Sequence, residues 1–207
     1  MKHPLIIFDM DGTLVQSEEC ASQALLEAIP DLQGSLDELT QRYRGWRLAE
    51  VFVDIESRQP GCIPEDCLQR YREREAILAH SMITPSVGVE SLLSQLRHRK
   101  CIASNASIEK TRRSLQICGL SHHFDSDIFS AYQVQAWKPD PALFLHAAAA
   151  CRAEPEQCLV VEDSEVGLRA AQAAGIPAVF YDPHGSDISM AGVTRITALT
   201  DLLDLLA

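Results

Sequence analysis

From residue 89 to the end, the chain alternates between short, mostly apolar runs and segments of helical length. Runs such as 101–104 and 159–161 stand between segments with the apolar spacing of an α-helix, such as 108–117 and 165–174. Strands that alternate with helices in this way predict a doubly wound parallel sheet. Ligands of such sheets bind beyond the carboxyl ends of the strands. The polar residues that follow each apolar run are therefore the first candidates for a functional site.

The predicted elements of this α/β part form two sets. The strands are expected at 5–8, 101–104, 128–129, 159–161, 178–181 and 194–196. The helices are expected at 89–99, 108–117, 141–151, 165–174 and 199–206.

Four helical segments without a strand between them interrupt this pattern near the start of the chain. They are predicted at 18–29, 36–44, 48–58 and 65–80. Consecutive helices inside an alternating chain indicate an inserted helical module. We therefore expect an α/β core domain formed by residues 1–15 and 86–207, with an all-helical domain of residues 16–85 inserted into it.

Two carboxylates follow the first apolar run, Leu5-Ile6-Ile7-Phe8. Asp9 and Asp11 are two residues apart, so an extended backbone turns both side chains to one face. Their mutual repulsion is relieved by a divalent cation, and Mg²⁺ is usually held by one or two carboxylates together with substrate phosphate. The alternative is that both residues simply cap a turn at the end of the strand.

Three later segments place further polar residues after predicted strands or before a predicted helix. They are Ser104-Asn105, Lys138 and Glu162-Asp163-Ser164. Taken alone, each has a structural alternative: a helix N-cap for Ser104-Asn105, a solvated loop lysine for Lys138, and the cap of the next helix for Glu162-Asp163-Ser164.

Together, the four segments resemble, in order, the four motifs of the haloacid dehalogenase-like (HAD) hydrolase superfamily. The pattern Asp9-x-Asp11-Gly12-Thr13-Leu14 resembles the first of these motifs. The resemblance covers the core of the chain, and 16–85 matches only loosely. It implies a Rossmann-like core with a helical cap domain, and it implies a phosphatase that acts through an aspartyl phosphate.

The resemblance also implies a role for each matched residue. Asp9 is expected to be the nucleophile, and Asp11 the general acid and base. Ser104, Asn105 and Lys138 are expected to hold the transferring phosphoryl group, to which the lysine contributes its charge.

The implied cofactor is Mg²⁺. Its expected ligands are Asp9, the backbone carbonyl of Asp11, and Asp163, with Glu162 either as a further ligand or as an outer partner.

Asp11 also separates two branches of the superfamily. An alkoxide leaving group needs a proton and a halide does not, so the presence of Asp11 favours phosphoester chemistry over dehalogenation.

The chain is similar to the branch that contains β-phosphoglucomutases and 6-phosphogluconate phosphatases. The segment 130–141 is similar to that of a bacterial 6-phosphogluconate phosphatase, which implies a sugar phosphate or phosphorylated sugar acid as the substrate. Candidate specificity residues in the cap are Arg44, Trp46 and Arg47. The alternative is that both arginines are solvated and that the tryptophan belongs to the cap core.

Two other functions stay open. A β-phosphoglucomutase-like phosphotransferase would carry a cap histidine at the position of Ala21 and a cap arginine near Leu48, and neither is present. A catalytically silent HAD-like domain that serves as an interaction module is the other alternative, although Asp9, Asp11 and Lys138 are all retained.

Composition restricts the partners and the compartment. A net charge of −11 disfavours a nucleic-acid partner, and an anionic substrate would need a local metal ion or basic residues to overcome it. The partner that the resemblance implies is a small phosphomonoester. The 7 Cys, without a C-x-x-C, favour reduced buried thiols, and no signal or membrane-length apolar run is seen, so a cytoplasmic protein is expected. The 7 His lack a spacing such as H-x-x-x-H, and His122-His123 is predicted to lie in a loop, which disfavours a zinc enzyme. The oligomeric state stays open.

Overall fold

The computed structural model describes residues 3–124 and 126–207 of the chain. The chain divides into two compact units, Met1–Val15 with Pro85–Ala207 and Gln16–Thr84. The first is called the core unit here and the second the helical unit. Within the described ranges, no helix combines the length and the apolar character that a membrane crossing requires.

The core unit is built on a six-stranded sheet in which every neighbouring pair is parallel. In chain order the strands are β1 (Leu5–Phe8), β2 (Val15–Gln16), β3 (Thr84–Pro85), β4 (Arg99–Ser104), β5 (Ile128–Ser130), β6 (Cys158–Glu162), β7 (Ala178–Tyr181) and β8 (Thr194–Ile196). The sheet has the order β5-β4-β1-β6-β7-β8, and β2 and β3 pair separately where the chain passes between the units. The predicted doubly wound parallel sheet is confirmed.

The central position of β1 follows from its composition. All four of its residues are buried, which is the pattern of a strand covered on both faces. Phe8 lies level with Ile102 of β4 and with Val161 of β6. The residues that follow these three positions therefore emerge side by side at the carboxyl edge of the sheet, where the chain order reverses.

The helical unit contains the four expected helices with small shifts at their ends. They are α1 (Glu18–Ala28), α2 (Leu36–Tyr43), α3 (Leu48–Arg58) and α4 (Cys67–Met82). A reciprocal capping box fixes the start of α2, since the Ser35 hydroxyl accepts the Glu38 N–H and the Glu38 carboxylate accepts the Ser35 N–H. Apolar side chains of all four helices form one core that includes Leu25, Leu39, Val51, Ile55 and Tyr71.

The remaining helices belong to the core unit. They are α5 (Val89–Gln95), α6 (Ile108–Ile117), α7 (Ala131–Val134), α8 (Ala142–Ala150), α9 (Glu165–Ala173) and α10 (Asp201–Leu206), with 3-10 turns at Ser121–His123 and Pro155–Gln157. The prediction of a helix to residue 99 was wrong. Arg99 and Lys100 pair with Leu5 and Ile6. Arg99 therefore belongs to the sheet, although the apolar spacing predicts a helix that reaches it.

Candidate active site

A buried lysine joins two carboxylates at the carboxyl edge of the sheet. The Lys138 side chain is 3% exposed, and its ammonium donates to Asp9 Oδ1 and, over 2.7 Å, to Glu162 Oε1. Asp9 follows β1, while Glu162 ends β6. The structure therefore brings together three residues from three segments that sequence analysis had selected separately. The loop-lysine alternative for Lys138 is wrong, because the side chain is buried.

Two further contacts fix Lys138 in place. Its backbone N–H donates to Asn105 Oδ1 over 3.0 Å, so the Asn105 side chain reaches across from the end of β4. Its ammonium nitrogen also lies 4.8 Å from the ring centre of Phe144 in α8. The lysine is thus held at its backbone and at the end of its side chain.

Full ionisation of this cluster would leave it with an excess of negative charge. Burial raises the pKa of Asp9 to about 8; Lys138 opposes this rise and Glu162 adds to it. Burial alone would lower the pKa of Lys138, but Asp9 and Glu162 together raise it above its ordinary value. Asp9 therefore resists ionisation without a further cation, because one ammonium faces two buried carboxyl groups and Asp163 lies nearby.

The oxygen atoms of this cluster fit a divalent metal ion. Asp9, Glu162 and Asp163 each offer one carboxylate oxygen, and the three oxygens lie within 4.8 Å of one another. A set of anionic oxygen donors suits a hard cation. A bound cation would also favour the ionised form of Asp9, against the effect of burial. The residues present therefore fit the cation that the sequence predicted.

Asp163 is held by a residue that sequence analysis did not select. The hydroxyl of Thr13, which is fully buried, donates to Asp163 Oδ1 over 2.9 Å. Thr13 is in the turn after β1, so this bond connects the first and last of the predicted motifs. A threonine directly after Asp11-Gly12 was the available signal, but sequence alone does not show that it is buried or which carboxylate it contacts.

Asp11 lies beside this cluster and is half-buried. Its Oδ1 is 4.0 Å from the ammonium of Lys110 in the first turn of α6. The turn that holds it is closed by the Gly12 N–H, which donates to the Val15 carbonyl over 2.7 Å. Its expected role as acid and base, and the ligation of a metal by its carbonyl, stay predictions.

Both oxygens of Glu162 are engaged. Oε1 accepts from Lys138, while Oε2 accepts from the backbone N–H and the hydroxyl of Ser164 over 2.9 and 2.8 Å. Ser164 in turn accepts the Gly167 N–H and so caps α9. The capping alternative thus applies to Ser164, while Glu162 faces inward with its side chain fixed from both sides.

Gly167 is a second residue that sequence analysis missed. A Cβ atom at this helical position would lie 1.8 Å from Glu162 Oε1 and 2.0 Å from its carboxyl carbon. The carboxylate of Glu162 therefore occupies the space that any side chain at residue 167 would need. The available signal was a glycine in the first turn of a helix, where it lowers helix propensity without an evident local reason.

Ser104 and Asn105 do not cap a helix. The side chain that caps α6 belongs to Ser107, which accepts the Lys110 N–H over 3.2 Å. The Ser104 hydroxyl is buried and accepts the N–H of Ala106 over 3.0 Å. The N-cap alternative for this pair is therefore wrong, and its role in phosphate binding stays a prediction.

The three candidate specificity residues lie in the helical unit between α2 and α3. Trp46 is 45% exposed and meets the Tyr43 ring edge-on at 5.8 Å, so its assignment to the cap core is wrong. Arg47 is the N-cap residue of α3, and its Nη1 lies 3.9 Å from Glu50 Oε1, while Arg44 follows α2 and is half-buried. Contact of these residues with a substrate stays a prediction.

The chain is similar to known proteins along nearly its whole length. The family model described as haloacid dehalogenase-like hydrolase matches residues 3–175. A 6-phosphogluconate phosphatase of Escherichia coli is 34% identical over 97% of this chain and 93% of that protein. A fructose-1-phosphate phosphatase of the same organism is 28% identical over 84% of this chain and 94% of that protein. A haloacid dehalogenase-like protein of Agrobacterium tumefaciens has a TM-score of 0.83 and 28% identity, covering 99% of this chain and 97% of that one.

The contact between Gly167 and Glu162 predicts an unusual effect of Gly167→Ala. Glycine to alanine inside a helix ordinarily stabilises a protein by about 0.5–1 kcal/mol. Here the added methyl group forces the Glu162 carboxylate away from Lys138 and Ser164, so we expect a loss of about 2 kcal/mol, within the range of overpacking. The free energy of unfolding in urea measures it. Ala173→Gly, at an exposed position of the same helix, controls for backbone propensity, and a Gly167→Ala protein as stable as wild type would contradict the account.

Proposed function

The chain belongs to the haloacid dehalogenase-like hydrolase family, and from this premise we propose that it is a Mg²⁺-dependent phosphatase of small phosphomonoesters. The proposed substrates are sugar phosphates or phosphorylated sugar acids such as 6-phosphogluconate. The observation that carries the proposal is the buried Lys138 ammonium between Asp9 and Glu162, with Asp163 alongside. This arrangement supplies both a nucleophile and the positive charge that a phosphate dianion requires.

Phosphoryl transfer depends mainly on positioning and on charge neutralisation. A phosphate dianion that approaches Asp9 meets a carboxylate, so repulsion must be overcome locally in a chain whose net charge is −11. Lys138 provides a fixed positive charge at the nucleophile itself. Because Asn105 and Glu162 hold Lys138, the ammonium does not need to reorganise when the substrate arrives.

We propose a two-step mechanism with a covalent intermediate. A carboxylate oxygen of Asp9 attacks phosphorus, the bond from phosphorus to the ester oxygen breaks, and Asp11 gives its proton to the departing alkoxide. Asp11 then accepts a proton from a water molecule that attacks the phosphorus of the aspartyl phosphate, and the bond from phosphorus to the Asp9 oxygen breaks. The products are the free alcohol, inorganic phosphate, the Asp9 carboxylate and the protonated Asp11.

The residues proposed to hold Mg²⁺ are Asp9, Asp163 and the Asp11 carbonyl. When bound, the ion acts as a Lewis acid on the phosphoryl oxygens and reduces the repulsion between two anions. Thr13 orients Asp163 through its hydroxyl. Both oxygens of Glu162 already accept hydrogen bonds, so we assign it the positioning of Lys138 and Ser164 in preference to direct ligation.

Substrate selection is assigned to the helical unit. Arg44 and Arg47 carry charges suited to a second anionic group, such as the carboxylate of a phosphorylated sugar acid. The exposed Trp46 ring suits the apolar face of a sugar. Two relatives are named as phosphatases of 6-phosphogluconate and of fructose 1-phosphate, which supports the class of substrate.

The proposal is tested by phosphate release from 6-phosphogluconate, fructose 1-phosphate, β-glucose 1-phosphate and an aryl phosphate. We expect release only with Mg²⁺, its loss on chelation and its return when Mg²⁺ is restored. One sugar phosphate should be hydrolysed well ahead of the others, since specificity depends on contacts to the leaving group. Isomer conversion of glucose 1-phosphate without phosphate release would favour the mutase alternative, and the absence of both activities would favour the silent module.

Asp9→Asn tests the nucleophile. The amide keeps the shape of the side chain but cannot form the aspartyl phosphate, so we expect turnover to fall by about 10³-fold or more. Acid-quenched wild-type protein should carry phosphate label from the substrate that hydroxylamine releases, and the variant should carry none. Asp204→Asn, at an exposed position of α10, is the control and should keep wild-type turnover. Normal turnover in Asp9→Asn would rule out the assigned nucleophile.

A further inference from the structure

Two adjacent histidines and a glutamate meet on the surface of the core unit, and none of them belongs to the candidate active site. His123 Nε2 lies 3.1 Å from Glu90 Oε2, and His122 Nε2 lies 3.8 Å from Glu90 Oε1. The histidines are in the 3-10 turn Ser121–His123, while Glu90 is in α5, 33 residues before His123. Each oxygen of one carboxylate thus faces the outer nitrogen of one imidazole.

The three side chains combine a fixed position with access to solvent. The His123 side chain is only 9% exposed, whereas those of His122 and Glu90 are 62% and 58% exposed. The two imidazole rings have centres 3.9 Å apart, which places them face to face at a tilt. Glu90 also accepts from the Ser94 hydroxyl, and its contacts with His123 and Ser94 lower the pKa of its carboxyl. The trio is therefore ordered and offers one anionic and two imidazole ligands.

We propose that Glu90, His122 and His123 form a binding site for a divalent transition-metal ion of the zinc class. Zinc binds histidine nitrogen and carboxylate oxygen at about 2.0–2.2 Å, so tetrahedral ligands stand about 3.4 Å apart. The distances from the Glu90 oxygens to the nitrogens of His123 and His122, 3.1 and 3.8 Å, lie on either side of this value. All three ligand atoms are within 4.8 Å of one another. Small rotations of the exposed Glu90 and His122 side chains would complete the geometry.

The chemistry of the ligands sets this site apart from the candidate active site. Imidazole nitrogen suits zinc, copper and nickel, whereas the carboxylates of Asp9, Glu162 and Asp163 suit a hard ion such as Mg²⁺. Within the described part of the chain, these are the two clusters in which three ligand atoms converge. An ion bound to Glu90 and the histidines would connect α5 with the turn after α6, and it would stabilise the core unit by binding only the folded chain.

Electron paramagnetic resonance with one equivalent of Cu²⁺ tests the proposal on the full chain without a histidine tag. Every protein compared carries His3→Gln, because a free α-amino group followed by Lys2 and His3 would itself bind Cu²⁺ through several nitrogens. Nitrogen ligands split the copper signal, whereas the oxygen ligands of the candidate active site do not. We expect splitting from two nitrogens in the otherwise wild-type chain. His122→Gln should leave the splitting of one nitrogen and weaken binding by about tenfold or more, and Glu90→Gln should weaken binding with both nitrogens retained.

His122 is chosen because its side chain is mostly exposed, so its replacement should leave the fold intact. The melting temperature without added metal checks this, and Zn²⁺ should raise it more in wild type than in His122→Gln. His80→Gln, at an exposed histidine of α4, is the matched control and should keep the two-nitrogen signal. Absence of nitrogen splitting in wild type, an unchanged signal in His122→Gln, or its loss in His80→Gln would each overturn the proposal.

Discussion

The carboxyl edge of the core sheet depends on one buried ion cluster, in which the Lys138 ammonium faces Asp9 and Glu162. Charged groups removed from water are strongly unfavourable unless they are paired and hydrogen-bonded. Lys138 meets this condition through two carboxylates, and a hydrogen bond from its backbone to Asn105 completes the arrangement. The cluster holds more carboxyl groups than cations, so a bound cation would favour the ionised form of all of them, and this is the physical reason for the proposed metal ion.

The rest of the core unit places and protects this cluster. Parallel register sets β1 level with β4 and β6, so their carboxyl ends open at one edge. Thr13 directs Asp163 inward, Ser164 holds the second oxygen of Glu162, and Gly167 leaves room for that carboxylate. Residues without a proposed role in the chemistry thus determine where the candidate catalytic groups lie. The two proposed metal sites use different ligand atoms. The carboxylate oxygens of the candidate active site would select a hard cation, and the imidazole nitrogens of the second site would select a softer one.

Much of the core could be predicted from the sequence because its signals are local. The apolar run of β1 followed by Asp9 and Asp11, and the alternation of strands and helices, are read within a few residues. The contacts of Thr13 and Gly167 could not be predicted, because each depends on a partner far along the chain or on an occupied volume. The contact between Glu90 and His122-His123 could not be predicted for the same reason, because the glutamate lies far from the histidines in the sequence. A pair of adjacent histidines does not by itself indicate a third metal ligand. The end of α5 was wrong because pairing with β1 overrides helical periodicity.

A double-mutant cycle between Lys138 and Glu162 tests the central claim that this ion cluster organises the site. Lys138→Met leaves buried carboxylates without their cation, so we expect a loss of about 3–5 kcal/mol in the free energy of unfolding, measured without added metal. In a Glu162→Gln background the same change should cost less, with a coupling of about 1–3 kcal/mol. Effects that add to within about 0.5 kcal/mol would show that the two residues do not depend on each other and would contradict the account.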